Sequence, residues 1–74
     1  MLHKIGTIYA DIWYSLDGYR VSIVPAEKMI TVPPDSFFEM VYDEGDVTAN
    51  LGPYPDVYRA LSDVNAKFGT ERDE

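Results

Sequence analysis

The sequence predicts an α+β fold: a small antiparallel β-meander of about four or five strands, with one C-terminal α-helix packed on one face. Two observations carry this prediction. Apolar and polar residues alternate through the first part of the chain, and an apolar stripe at helical spacing follows near its end. The 74 residues allow one domain at most. We place that compact domain at residues 1–69 and expect residues 70–74 to form a disordered charged tail.

The clearest local signal is a β-hairpin within residues 4–25. Alternating apolar residues flank Asp17 and Gly18, a pair that is preferred in two-residue type I′ turns. Such a turn sets Ile12 opposite Ile23, so that the aliphatic side chains of both strands share one face. The opposite face then carries Tyr9, Asp11, Trp13, Arg20 and Ser22.

Tyr9 and Trp13 would present large rings among charged groups on that second face. Because large rings are mostly buried in folded proteins, the simpler interpretation is that a loop or the C-terminal helix covers them. The alternative is a binding surface, where Trp, Tyr and Arg are enriched. Tyr54, in the connector before the helix, is the third aromatic residue that we consider for partner binding.

The middle of the chain is less clearly patterned. Residues 29–32 form a short apolar run followed by two prolines, which is typical of an edge strand. For residues 36–51 two structures remain open. One is a short helix capped by Asp35. The preferred one is a second hairpin that turns through Glu44 and Gly45. It would gather on one side the residues Phe38, Met40, Tyr42, Val47, Ala49 and Leu51.

A helix is predicted from about Pro55 to Phe68, since proline suits the first helical position. Asp56 is favourable near the positive end of the helix, and Gly69 is a stop signal. The apolar stripe of this helix consists of Val57, Leu61, Val64 and Phe68.

Charge gives the strongest functional signal. The chain has 13 acidic and 6 basic residues, a net charge of −7, and no basic residue between Lys28 and Arg59. A surface of one sign attracts cationic partners, whereas nucleic-acid binding needs clustered Lys and Arg. We therefore expect a protein partner with a basic surface and no direct contact with nucleic acid. The candidate residues for that partner are the carboxylates of this stretch: Asp35, Glu39, Asp43, Glu44, Asp46 and Asp56.

Little in the chain points to catalysis. His3 is the only histidine and cysteine is absent, so a nucleophile would lack an activating partner. We interpret His3 as an incidental surface residue near a mobile end. The acids around Gly45 lack the regular spacing of a calcium loop. The sequence thus predicts no enzyme, no metal site and no cofactor. No apolar run approaches the roughly 18 residues of a membrane span, which predicts a soluble, cytoplasmic protein without membrane contact.

Carboxylates held on a rigid β-scaffold can imitate the regularly spaced phosphates of nucleic acid. In size and charge alone, the chain resembles small phage-encoded inhibitors such as anti-CRISPR, anti-restriction and uracil-glycosylase inhibitor proteins. The resemblance implies a viral, non-enzymatic inhibitor that occludes the basic nucleic-acid-binding surface of a host defence or DNA/RNA-processing enzyme. The alternative is a structural or assembly module, for example a homodimer subunit, in which Trp13 and Tyr9 complete a core with another copy.

Overall fold

A computed structural model describes residues 1–32 and 39–69 of the chain. Within these residues it contains a four-stranded antiparallel sheet, a separate two-stranded sheet and one α-helix, which confirms the predicted α+β fold. The strands are β1 (Leu2–Ile5), β2 (Ile8–Ser15), β3 (Gly18–Pro25), β4 (Ile30–Val32), β5 (Glu39–Val41) and β6 (Ala49–Tyr54), and the helix is α1 (Val57–Phe68). The predictions for Asp35 and for residues 70–74 lie outside the described residues.

The large sheet has the strand order β1-β2-β3-β6. Its first strand is one that the sequence analysis missed. A turn at Gly6, whose φ is 59°, sets Ile5 opposite Ile8 and pairs β1 with β2. His3 is therefore not an incidental residue at a mobile end, because it lies in β1 opposite the buried Ala10. The His3 Nε2 is itself buried, with no hydrogen-bond partner among the described residues.

The predicted hairpin of β2 and β3 exists, but its register was wrong by two residues. Ser15 lies opposite Gly18, and Ile12 lies opposite Val21 rather than Ile23. The turn is not type I′, because only Gly18 has a positive φ there. Gly18 starts β3 instead of closing the loop, and β6 passes so close that a Cβ on it would lie 2.7 Å from the Tyr54 carbonyl oxygen. A shift of two residues leaves every side chain on its predicted face.

Helix α1 covers the face of the sheet that carries the aliphatic side chains. This face, here called the helix face, forms the main core with α1. Asp56 is the N-cap: its carboxylate accepts a hydrogen bond of 2.8 Å from the Arg59 N–H, so the helix begins at Val57 and not at Pro55. The whole predicted stripe of α1 packs on this core. The buried residues of the helix face are Ile5, Ile8, Ala10, Ile12, Val21, Ile23, Ala60 and Val64.

The preferred structure for residues 36–51 was wrong, because β5 and β6 do not pair with each other. β5 pairs with β4, which confirms a short strand in the predicted run 29–32 but limits it to Ile30–Val32, and β6 pairs with the edge of β3. The alternative helix is also wrong where it is described, because Met40 and Val41 lie in β5. The physical reason is local: Glu44–Asp46 forms a short 3₁₀ turn, after which the Thr48 N–H bonds to the Ile23 carbonyl oxygen at 2.8 Å. This bond starts the alignment of β6 on β3.

The described part of the chain has no helix of the length and apolar character that a membrane crossing requires.

Candidate functional site

The sheet face opposite α1, here called the cleft face, carries a polar row across three strands. Asp11 of β2 lies directly opposite Ser22 of β3, which lies directly opposite Asn50 of β6. Since side chains alternate along a strand, this row is the reverse side of the apolar positions that build the core. The polar residues thus follow from the same period-2 pattern that forms the sheet.

A cleft of about 540 Å³ lies between this row and the segment that follows β5. Its size falls within the range of small-ligand sites, roughly 300–1,000 Å³. Two carboxylates, two aromatic rings, two smaller polar side chains and one valine line it. The lining residues are Asp11, Trp13, Ser22, Tyr42, Glu44, Val47 and Asn50.

A chain of hydrogen bonds fixes the floor of the cleft. The Trp13 indole Nε1 donates to Ser22 Oγ at 3.2 Å, and the Ser22 hydroxyl donates to Asn50 Oδ1 at 3.1 Å. Ser22 is buried, so these bonds satisfy a polar group that burial would otherwise penalise. The Trp13 side chain remains 42% exposed although its N–H is satisfied. Its position is therefore set by the sheet, while part of its ring surface stays available.

Tyr42 forms the opposite wall and is tied to the sheet, because its hydroxyl donates a hydrogen bond to Asp11 Oδ2. Burial of the phenol, together with this bond to a carboxylate, raises the pKa of Tyr42 to about 12. Tyr42 therefore stays a neutral donor at physiological pH and Asp11 serves as its acceptor. The other oxygen of Asp11 accepts from the Met1 ammonium group at 3.1 Å.

The acidic turn, defined as Asp43, Glu44 and Asp46, adjoins the cleft. The Asp43 carboxylate accepts a hydrogen bond of 3.2 Å from the Gly45 N–H, and the Asp46 N–H bonds back to the Asp43 carbonyl oxygen at 2.9 Å. Glu44 is exposed and lines the cleft. None of the three carboxylates forms an ion pair with a base in the described ranges.

Ion pairs neutralise acids elsewhere in the molecule. Arg20 Nη2 lies 2.6 Å from Asp17 Oδ2, and Lys67 Nζ lies 2.7 Å from Asp63 Oδ2. Hydrogen bonds from Arg20 and then from the Ser15 hydroxyl lower the pKa of Asp17 to about 2. Negative charge is thus compensated at the β2–β3 turn and along α1, but not in the acidic turn.

The structure brings together only part of the predicted site. Trp13 and Glu44 line the cleft, and Asp43 and Asp46 belong to the adjoining turn. Tyr9 is half-buried on the same face but is not a lining residue.

The remaining predicted residues lie elsewhere. Glu39 begins β5, and Asp35 is outside the described residues. Tyr54 lies four positions after Asn50 of the polar row, roughly 13 Å along β6 at strand spacing, and Asp56 lies beyond the end of that strand. Asp56 caps α1, and Tyr54 donates a hydrogen bond from its hydroxyl to Asp63 on the helix side.

Five lining residues were missing from the predicted set: Asp11, Ser22, Tyr42, Val47 and Asn50. Alternation already placed Asp11 and Ser22 on the same face as Trp13, which was a usable signal. No local signal placed Tyr42 there, because its contact with Asp11 spans 31 positions of sequence.

Comparison with protein-family models, with curated proteins and with solved structures finds no match for this chain. Within residues 1–32 and 39–69, no group of three or more acidic or histidine side chains is placed to hold a metal ion.

Proposed function

We propose that this protein is a non-catalytic binding protein that occludes a basic, nucleic-acid-binding surface of another protein. The observation that carries the proposal is the acidic turn, whose carboxylates adjoin an aromatic cleft and lack ion pairs with described bases. A potential of one sign steers a cationic partner into contact, and a partly exposed indole supplies apolar contact area once the two surfaces meet.

The distribution of basic residues supports the interpretation of the acidic turn as a surface for a cationic partner. Of the chain's 6 basic residues, Arg20 and Lys67 are paired with their own acids, and the net charge remains −7. Complementary charge of this kind mainly raises the association rate and excludes partners of like charge. A protein that binds nucleic acid already carries the matching basic surface.

The carboxylates that would imitate phosphates do not form a row along a strand. Asp43, Glu44 and Asp46 lie in one short turn, with the Asp11 carboxylate behind them in the cleft. A compact group of this kind can meet the lysines and arginines that normally contact one or two phosphates. We extend the proposal to its biological setting: a viral inhibitor of a host defence or DNA/RNA-processing enzyme, acting in the host cytoplasm.

Affinity capture with competition tests the proposal. The immobilised protein is exposed to cell lysate at low salt and then washed with duplex DNA, with RNA, or with salt. We expect proteins that nucleic acid displaces and whose own binding to nucleic acid is blocked by this protein in a purified assay. If the captured proteins do not bind nucleic acid, or if neither nucleic acid releases them, the proposal is wrong.

A second candidate function, an assembly module, is favoured by a different observation. Tyr14, Leu16 and Tyr58 are 71%, 104% and 83% exposed, which is unusual for large side chains of this kind. Tyr14 also packs edge-on against Tyr19, with ring centroids 5.1 Å apart. In this case Leu16→Ser would abolish self-association in sedimentation equilibrium, whereas under the leading proposal the protein and the variant have the same mass in solution.

A further inference from the structure

Building on the proposed function, we propose that the cleft receives the guanidinium group of an arginine side chain from the partner protein. The site is the space between the polar row and Tyr42, with Glu44 at its margin. Acidic charge alone attracts any cation, whereas this cleft recognises one chemical group.

The cleft uses most of its hydrogen-bond donors internally but not its acceptors. The Trp13 N–H, the Ser22 hydroxyl and the Tyr42 hydroxyl all donate to other lining residues. Of the side-chain donors in the lining, only the Asn50 amide N–H groups remain. The free capacity of the site is therefore mostly acceptor capacity, and it fits a ligand that is rich in donors.

The cleft also carries negative charge that no described base compensates. Asp11 already accepts bonds from Tyr42 and from the Met1 ammonium group, which leaves about half of its acceptor positions open. The Glu44 carboxylate has no hydrogen bond or ion pair with any described residue, so it supplies the uncompensated charge of the cleft. Arg20 is the register partner of Trp13 on this face, but Asp17 holds its guanidinium group. No basic side chain from the described ranges lines the cleft.

The arrangement of the acceptors favours arginine over lysine. A guanidinium group is planar, carries five donors in a fixed geometry and stacks on aromatic rings, whereas an ammonium group is a compact, strongly hydrated charge. The cleft offers acceptors on two sides, from Asp11 and Asn50 in the sheet and from Glu44 in the acidic turn. The partly exposed Trp13 of β2 also lines it. Several separated acceptors beside an aromatic ring match the guanidinium geometry better than a point charge.

Trp13 makes the inference testable without knowledge of the partner, because it is the only tryptophan in the chain. Its indole N–H gives a single, unambiguous NMR signal inside the proposed site. The probes are blocked pentapeptides of glycine with one central residue: arginine, lysine, or the neutral isostere citrulline. We expect the arginine peptide to shift this signal saturably, with an affinity roughly five-fold higher than that of the lysine peptide. The citrulline peptide should have no effect.

A pair of variants locates the interaction. Glu44→Gln should weaken binding of the arginine peptide about five-fold, since it removes the uncompensated charge. Glu27→Gln makes the same change of charge at another exposed acid, in the 3₁₀ turn Ala26–Lys28, and should leave the affinity unchanged. Equal weakening by both variants would overturn the inference.

The outcomes separate this inference from the proposed function. Equal shifts from the arginine and lysine peptides would overturn the guanidinium site and leave general charge attraction, and with it the proposed function, in place. Absence of any effect of the arginine peptide on the Trp13 signal would also overturn the site. In that case the capture and competition experiment still decides whether a basic surface is bound. A saturable, arginine-selective shift that Glu44→Gln weakens and Glu27→Gln does not would support the site.

Discussion

The two faces of the large sheet are built from the same strands and have opposite characters. Ser22 and Ile23 are consecutive residues of β3, yet Ile23 is fully buried in the apolar core under α1 and Ser22 belongs to the hydrogen-bonded floor of the cleft. The helix face is held by apolar burial, which dominates folding energetics. The cleft face buries Val24 of β3 and is otherwise joined around the cleft by directional bonds between polar groups. One face thus provides most of the stability and leaves the other free to present charge.

Each face is also stabilised by the same kind of contact, a hydrogen bond that a tyrosine hydroxyl donates to an aspartate. Tyr54 of β6 is joined to Asp63 of α1, which ties the sheet edge to the helix. Tyr42 is joined to Asp11, which ties the segment before the acidic turn to the sheet. The comparison shows that the cleft wall is fixed by a specific contact, although it lies outside the main core.

The largest expected effect contrasts the two faces within one strand. Ile23→Ala should lower the free energy of unfolding by about 3 kcal/mol, because it leaves a cavity in the core. Ser22→Ala should lower it by about 1 kcal/mol, since two hydrogen bonds are lost at a site beside a solvent-accessible cleft. Chemical denaturation followed by circular dichroism measures both. A larger loss for Ser22→Ala than for Ile23→Ala would contradict the assignment of stability to the helix face.

The next largest effect contrasts a glycine that a neighbouring strand crowds with a glycine that has room for a side chain. Gly18 has a φ of 130° and faces the Tyr54 carbonyl oxygen, so Gly18→Val should lower the free energy of unfolding by at least about 1 kcal/mol. Gly45 lies in the acidic turn, where an added Cβ would approach the Asp43 carboxylate no closer than 3.8 Å. Gly45→Ala should therefore change stability by less than about 0.5 kcal/mol. Thermal unfolding of both variants tests this contrast, and equal melting temperatures would count against the observed turn of β2 and β3.

The smallest expected effect is on tyrosine ionisation, which reports on one tyrosine–aspartate hydrogen bond on each face. Burial and an aspartate partner raise the pKa of both Tyr42 and Tyr54 to about 12. A free tyrosine ionises near pH 10, so each contact should stabilise the fold fully below about pH 10 and lose that contribution as the pH rises to about 12. In near-ultraviolet absorbance, Tyr42→Phe and Tyr54→Phe should each remove one phenolate that appears near pH 12. If either variant leaves this late phase unchanged, the corresponding contact is not present in solution.

The side of the sheet on which each residue lies was predicted better than the pairing between strands. Alternation alone placed Asp11, Trp13 and Ser22 together, because the side of a sheet on which a residue lies is a local property. The register of β2 and β3 depends instead on how closely Gly18 approaches Tyr54 of β6, which is far away in sequence. Local pattern contains no information about that approach.

The pairing of β6 and the composition of the site were missed for a related reason. The apolar residues of β6 suit either β5 or the edge of β3 as a partner, and the capped turn after Asp43 directs the chain toward β3. The acidic turn was predictable because its residues are neighbours in sequence. Asp56 was grouped with it by charge alone, and the length of β6 separates them.

The most direct test of the central claim is whether binding of a cationic probe depends on where negative charge lies or only on how much there is. Two triple variants make the same change of charge: Asp43→Asn with Glu44→Gln and Asp46→Asn in the acidic turn, and Glu71→Gln with Asp73→Asn and Glu74→Gln near the C-terminus. Their affinities for a nine-residue oligoarginine peptide are measured by Trp13 fluorescence over a series of salt concentrations.

We predict that the acidic-turn variant loses several-fold more affinity than the C-terminal variant and shows a flatter salt dependence, because close charges are lost from the contact itself. Its melting temperature should stay level with that of the unmodified protein. Equal losses of affinity and equal salt dependence in the two variants would contradict the claim that the acidic turn forms the binding surface.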